Sequence, residues 1–326
     1  MADMVNQLEQ IISHGGLTKS EKVLALVHPS LVFSVPDIIL RNPCAAIRRQ
    51  YTIPAYNGKN ANVLATRSYF EKHLANELHA AFVHGSLATD DEISYSDFDG
   101  LLVLKNETCA DKRRLKQTLL KLTMSLRFLR KQDALQHHGW MILTQSDLLN
   151  YQSGFLPVET LEKAQSILGK DSVTIELAST ERAGSARAVS AMIESISGKL
   201  NNSKLYQSAY FLKVLLSELM LLPALLYSLK HEKGIYKRES FAAMKDHFDP
   251  AEWLAIDKAS SIREVWPSYK AGFIGVINDI NPVLASWLAK RKRWSVPEKI
   301  AREVDSDFVA ATKLFLAKCQ KLTNQQ

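Results

Sequence analysis

Apolar positions along the chain change their spacing several times, and each change marks an element. Val63, Leu64, Tyr69, Phe70 and Leu74 recur at helical intervals, which predicts a helix over 62–79. A short apolar run at 80–83 reads as a strand. So does a second run at 98–104, whose closing stretch of apolar residues predicts a strand covered on both faces. Leu115, Leu119, Leu122, Leu126 and Leu129 form one stripe and predict a helix over 111–131. Its opposite side carries Lys112, Arg113, Arg114, Lys116, Lys121, Arg127, Arg130 and Lys131. A third apolar run follows Gly139 at 140–143. The order is helix, strand, turn, strand, helix, strand.

Beyond residue 155 the pattern is mostly helical. SVTIEL at 172–177 alternates and fits a short strand. A long, very apolar helix is expected over 206–230, kinked at Pro223. Further helices are expected at 239–247, 251–264, 281–292 and 297–321. The chain therefore reads as α+β, a small mixed-sheet domain at 61–155 followed by an α-helical domain at 156–326. Residues 1–60 read as an N-terminal extension with a short helix at 3–14, punctuated by Pro29, Pro36, Pro43 and Pro54.

Composition narrows the class. The chain has 326 residues, 46% of them apolar, enough for a sizeable core. Three scattered cysteines, with no CxxC pair, argue against a disulfide framework and for a reducing, cytoplasmic setting. No signal peptide is visible, and the most apolar stretch, 219–229, is too short to span a bilayer, so no membrane partner is expected. The net charge of +7 permits a polyanionic partner without demanding one.

The candidate chemistry lies in 82–103. Asp97 and Asp99 stand two apart at the start of an apolar strand. Alternation turns both carboxylates to one face and Phe98 to the other, into a core. Carboxylates this close repel unless a cation lies between them, so without one at least one pKa is expected to rise. Hard oxygen donors of this kind suit magnesium or manganese. Upstream, Gly85 permits a sharp turn and the close approach of a phosphate. Ser86 offers a hydroxyl and a backbone N–H at the start of a short helix. If the two strands are neighbours, a triphosphate fits between turn and metals, placed for in-line attack at the α-phosphorus.

Val83, His84, Gly85 and Ser86, followed by Ser96, Asp97, Phe98 and Asp99, resemble the signature of the polymerase-β-like nucleotidyltransferases. The resemblance covers 62–145. The helical half is similar in kind to the partner domain of the smaller antibiotic-modifying and toxin-associated members. The resemblance implies an enzyme that binds ATP or another NTP with two Mg2+ (or Mn2+) ions. It would transfer NMP to an acceptor hydroxyl on a small molecule, protein or RNA and release pyrophosphate. Asp97 and Asp99 would hold the metals, and Gly85 and Ser86 the β,γ-phosphates. Lys213 and Lys237, from the helical half, loosely resemble the cations that close over a triphosphate; ordinary surface charge is the plainer reading of both.

One departure stands out. The family carries a third carboxylate on the next strand, but 135–143 reads Leu-Gln-His-His-Gly-Trp-Met-Ile-Leu, without an acid. Alternation groups Gln136, His138 and Trp140, so His138 or Gln136 is expected in the third position, with a neutral His138 able to take a proton from the acceptor. A structural role for His137 and His138 is equally open, and a zinc site there finds no further ligand at suitable spacing. Glu176 comes late in the chain and Asp133 early. Two other readings remain: a nucleotide-binding regulatory module without turnover, and a nucleic-acid-binding protein. For the latter, Lys290, Arg291, Lys292 and Arg293 could grip a backbone beside Trp294, which could stack a base.

Overall fold

A computed structural model describes residues 47–89, 91–151, 156–169, 171–177, 181–202 and 208–325. The helix expected at 3–14 lies outside them. The strands among the described residues are β1 (Ile47–Thr52), β2 (Leu78–His84), β3 (Asp99–Leu104), β4 (Met141–Thr144), β5 (Gln165–Gly169) and β6 (Ser172–Leu177). Four form a mixed sheet in the order β4-β3-β2-β5. β2 pairs antiparallel with β3 and with β5, while β3 runs parallel to β4. β1 and β6 form a separate antiparallel ribbon, which joins 47–52 to 172–177.

The sheet is buried on both faces, as the apolar run at 98–104 predicts. Ala81, Val83, Leu102 and Leu104 pack with Phe70 of α1 (Ala61–His73) and with Leu122, Leu126 and Leu129. Ala80, Phe82, Leu101 and Val103 face Tyr151, Leu156, Val173 and Ile175. α1 is shorter than the expected 62–79. Asn60 caps its start by accepting from the N–H groups of Asn62 and Val63, and the helix ends at His73 so that Leu78 can pair with Leu104. After α2 (Asn106–Ala110), α3 (Lys112–Gln132) begins on Asp111, whose carboxylate accepts from Arg113 and Arg114 N–H. Arg130 departs from the basic face assigned to it: it is buried, within electrostatic reach of Tyr210 and Asp133.

That half comprises α4 (Glu181–Leu200), α5 (Ala209–Leu219), α6 (Leu222–His231), α7 (Lys237–Lys245), α8 (Pro250–Glu264), α9 (Phe273–Ile280), α10 (Pro282–Arg291), α11 (Glu298–Glu303) and α12 (Ser306–Asn324). The single helix expected over 206–230 is two. Pro223 lies in the first turn of α6, where its missing N–H costs no intrahelical bond. By length and composition 209–231 could cross a membrane, yet 67% of its most apolar window is buried inside the protein, as a core helix pair would be. Leu212, Leu216 and Leu226 pack there with Trp253, Phe308 and Phe315. Trp294 belongs to the same core, its indole N–H donating to the Ala289 carbonyl, so it is not an exposed base-stacking aromatic.

Candidate active site

The site begins where β2 ends. His84 stands opposite Asp99 in the antiparallel register, so the chain leaving β2 passes directly beside that carboxylate. Gly85 has φ of +68°, and a Cβ there would lie 2.5 Å from Asp99 Oδ2. Glycine is therefore required both by the backbone and by the close approach of Asp99. Gly85–Ala88 forms a single 3-10 turn. The Ser86 carbonyl closes the following loop by accepting from Thr89 and Asp91 N–H, at 3.3 and 3.2 Å.

The backbone between the two aspartates is held by a side chain. Gln136 Oε1 accepts from Phe98 N–H at 3.0 Å, and Gln136 Nε2 donates to the Phe98 carbonyl at 3.2 Å. Gln136 thus acts as one residue of a neighbouring strand, and β4 proper starts only at Met141. It does not occupy the third-carboxylate position. Phe98 is fully buried and packs edge-on against Trp140 at 5.3 Å. The Trp140 indole donates to Ser125 Oγ at 2.8 Å and covers Gly100, where a Cβ would lie 2.4 Å from the ring. This packing fixes the backbone between the two acids and sends Phe98 into the sheet core, while the Asp97 carboxylate is itself largely buried, facing the helical half.

Imidazoles and lysines face them. His138 Nε2 lies 3.3 Å from Asp99 Oδ1 and 3.8 Å from Asp97 Oδ2, and His137 Nδ1 lies 3.7 Å from Asp97 Oδ2. Lys213, wholly buried on α5, places its ammonium 2.9 Å from Asp97 Oδ1 and 2.8 Å from Asp133 Oδ2. It is no surface charge. Lys237, at the start of α7, lies within Coulombic reach of both aspartates. The start of α7 also docks on the turn: Tyr236 Oη is 3.4 Å from Thr89 Oγ1, and Arg238 pairs with Asp91 at 2.5 Å.

Lys213 and His138 reverse the expected electrostatics. Burial opposes ionisation of Asp97, but Lys213 foremost, with the imidazoles beside it, outweighs it; at Asp99 the hydrogen bond and charge of His138 do the same. Both carboxyls are held below the usual carboxylate range, so neither rises as their mutual repulsion predicted. The buried cluster holds one lysine between two acids. Asp133 carries the burial cost of the second negative charge and is pushed up to about 6. Burial lowers His138, but the bond to Asp99 and the two negative charges raise it to about 9, so the expected neutral proton acceptor is a cation at neutral pH. His137, chiefly through burial, drops to about 4.

Asp97, Asp99, His138, Gly85, Ser86, Lys213 and Lys237 all come from two regions that meet here. Glu176 does not: it pairs with Arg48 in the β1–β6 ribbon. Asp133 reaches the site only through Lys213. The sequence signal for that link was available, since a lone lysine within an apolar helix must find an acid if the helix is buried. Nothing in the local sequence pattern marks Tyr95. It inserts under the same lysine, its ring 4.7 Å from the ammonium and its hydroxyl donating to the Lys213 carbonyl at 2.8 Å.

The donor set fits a divalent cation. Asp97, His137 and His138 each turn one ligand atom into a space where all lie within 4.8 Å of one another. His137 Nδ1 is buried without a hydrogen-bond partner, whereas the buried Asp97 Oδ1 is already occupied by the Lys213 ammonium. The expectation that His137 and His138 lack a further ligand is corrected by the fold, which brings Asp97 to them.

No family model matches the chain, and no curated protein matches it. Among solved structures, the chain is similar to spectinomycin adenyltransferase AAD(9) from Enterococcus faecialis with ATP and spectinomycin. The identity is 11% and the TM-score 0.37, covering 72% of this chain and 100% of that one. A TM-score this low lends no weight to function.

Proposed function

We propose that the chain is a divalent-cation-dependent nucleotidyltransferase, moving NMP from an NTP, ATP foremost, to an acceptor hydroxyl. The observation that supports it best is the convergence of Asp97, Asp99 and the Gly85 turn at one end of the β2–β3 pair. On this reading Asp97 and Asp99 hold Mg2+ or Mn2+, which when bound would neutralise triphosphate charge and polarise the α-phosphorus. Ser86 and the backbone at Gly85 receive the β,γ-phosphates, and Lys237 adds positive charge from the helical side. Lys213 anchors Asp97 instead of touching phosphate, because its ammonium is committed to two carboxylates. His138 takes the place where the resemblance implies a third carboxylate. The acceptor oxygen bonds to the α-phosphorus as the bond from that phosphorus to the bridging oxygen breaks. The electron pair leaves with pyrophosphate, and the acceptor proton passes to solvent.

A second reading, a nucleotide-binding module without turnover, is favoured by one feature. Among the described residues the third group at the pair is an imidazole, not an acid. Pyrophosphate release from each NTP, with Mg2+ or Mn2+ and candidate acceptors, separates the two. The enzyme reading expects metal-dependent release that falls on the order of a hundredfold or more in Asp97→Asn and Asp99→Asn. Metal-dependent NTP binding without release would favour the second reading. Release that is undiminished in both variants would contradict the assigned site.

A further inference from the structure

We infer that Asp97 Oδ2, His137 Nδ1 and His138 Nε2 form one site for a first-row transition dication of the zinc class, in preference to magnesium. The inference deepens the reading above and rests on its treatment of Asp97 as a metal-holding carboxylate. It does not require that nucleotidyl transfer occur.

The spacing supports it first. Donors ~2.0–2.1 Å from a tetrahedral zinc stand about 3.3–3.4 Å apart. His137 Nδ1 and His138 Nε2 lie 3.7 and 3.8 Å from the same oxygen, Asp97 Oδ2, so a contraction of a few tenths of an ångström would bring both into range. The two rings meet edge to face at 5.1 Å, which lets adjacent residues direct nitrogens to one point.

The surrounding groups orient the donors. The His138 Nδ1 position is 3.2 Å from the Gly139 carbonyl. A proton held there directs Nε2 at the carboxylates, so a bound dication would have only the Nε2 proton to displace, the arrangement by which a backbone carbonyl fixes a metal-binding histidine. Lys213 occupies the other oxygen of Asp97, Oδ1, and orients the carboxylate so that Oδ2 points at the imidazoles. His137 Nδ1 is buried without a hydrogen-bond partner, a cost that a bound cation would remove.

The donor chemistry then selects the ion. Imidazole nitrogen suits zinc, cobalt and their neighbours, whereas magnesium demands oxygen. Three protein donors leave one position of a tetrahedral ion open, as in catalytic zinc sites. Asp99 Oδ1, 3.3 Å from His138 Nε2, borders that position.

The test uses the full chain stripped with chelator and loaded with Co2+. Nitrogen-ligated cobalt at low coordination number gives visible d–d bands. We expect these bands at one ion per chain, lost on adding one equivalent of Zn2+ and retained in a hundredfold excess of Mg2+. His137→Ala and His138→Gln should each weaken Zn2+ binding by calorimetry at least tenfold. Circular dichroism checks their folding, and His138→Asp should narrow the Zn2+/Mg2+ gap even if one of the other variants fails to fold. Absence of the bands, displacement by equimolar Mg2+, or unchanged Zn2+ affinity in folded variants would overturn the inference. Bands with no pyrophosphate release would leave the metal site standing and remove the reaction. Mg2+-dependent release without bands would do the reverse.

Discussion

The two sides of the Asp97–Asp99 pair are built in different ways. On the sheet side, geometry comes from backbone and close packing: the β2–β3 register sets Asp99 beside Gly85, and Gln136 and Trp140 hold Phe98 between the acids. On the helical side, single cations arrive from distant parts of the chain, Lys213 from α5 and Lys237 from α7. The sheet thus fixes where the carboxylates point, while the helical half sets their charge. Substitutions on the two sides should fail differently, in shape on one and in electrostatics on the other.

The largest effect is expected at Lys213. Lys213→Met leaves Asp97 and Asp133 facing each other without their cation, and breaking a buried pair of this kind costs about 3–5 kcal/mol. Urea unfolding measures it, and adding Asp133→Asn should recover part of the loss by removing one uncompensated charge. If Lys213→Met keeps wild-type stability, the helical side does not set the charge of the site. Gln136→Leu tests the sheet side. It leaves the Phe98 N–H and carbonyl without their partners in a buried setting, at about 1–3 kcal/mol for each buried group left unpaired. Nucleotide binding should weaken with it, because the two acids lose their fixed spacing.

A smaller effect is expected from pH. His138 faces Asp97, Asp99, His84 and His137, and its folded pKa of about 9 is above its ordinary value. Its contribution to stability is therefore complete below the ordinary histidine pKa and is lost as pH rises through about 9. The melting temperature of chelated protein should fall over that interval, and His138→Gln should flatten the fall; an identical slope in both proteins would mean the pair with Asp99 is not formed. The smallest effect is at the exposed Arg238–Asp91 contact, which ties α7 to the turn. Arg238→Ala should cost less than about 1 kcal/mol, because water and salt screen an exposed pair.

The uneven legibility of the sequence follows the same division. The strand, turn and carboxylates lie within one continuous segment, and alternation alone turns Asp97 and Asp99 to one face. The histidine segment misled because alternation treats 135–143 as a strand, whereas Gln136 makes its strand-like pairing through a side chain. β5 passed unnoticed because its apolar core, Ile167 and Leu168, is only two residues long. α4 passed unnoticed because Val189, Ile193, Ile196 and Leu200 sit among alanines and serines that dilute the stripe. The Lys213–Asp97 contact depends on how two regions dock, which no local spacing records. It also changes one consequence. Because both acids face cations, Asp97→Asn and Asp99→Asn should lower the stability of the metal-free protein instead of relieving repulsion.

The central claim is that Asp97 and Asp99 together form a metal-dependent nucleotide site. The most direct test is the melting temperature of wild type, Asp97→Asn and Asp99→Asn, each measured alone, with Mn2+, with ATP, and with both. The account predicts a wild-type rise that needs metal and ATP together and is absent in both variants relative to their own baselines. Variants that are folded and keep the full wild-type rise would contradict it.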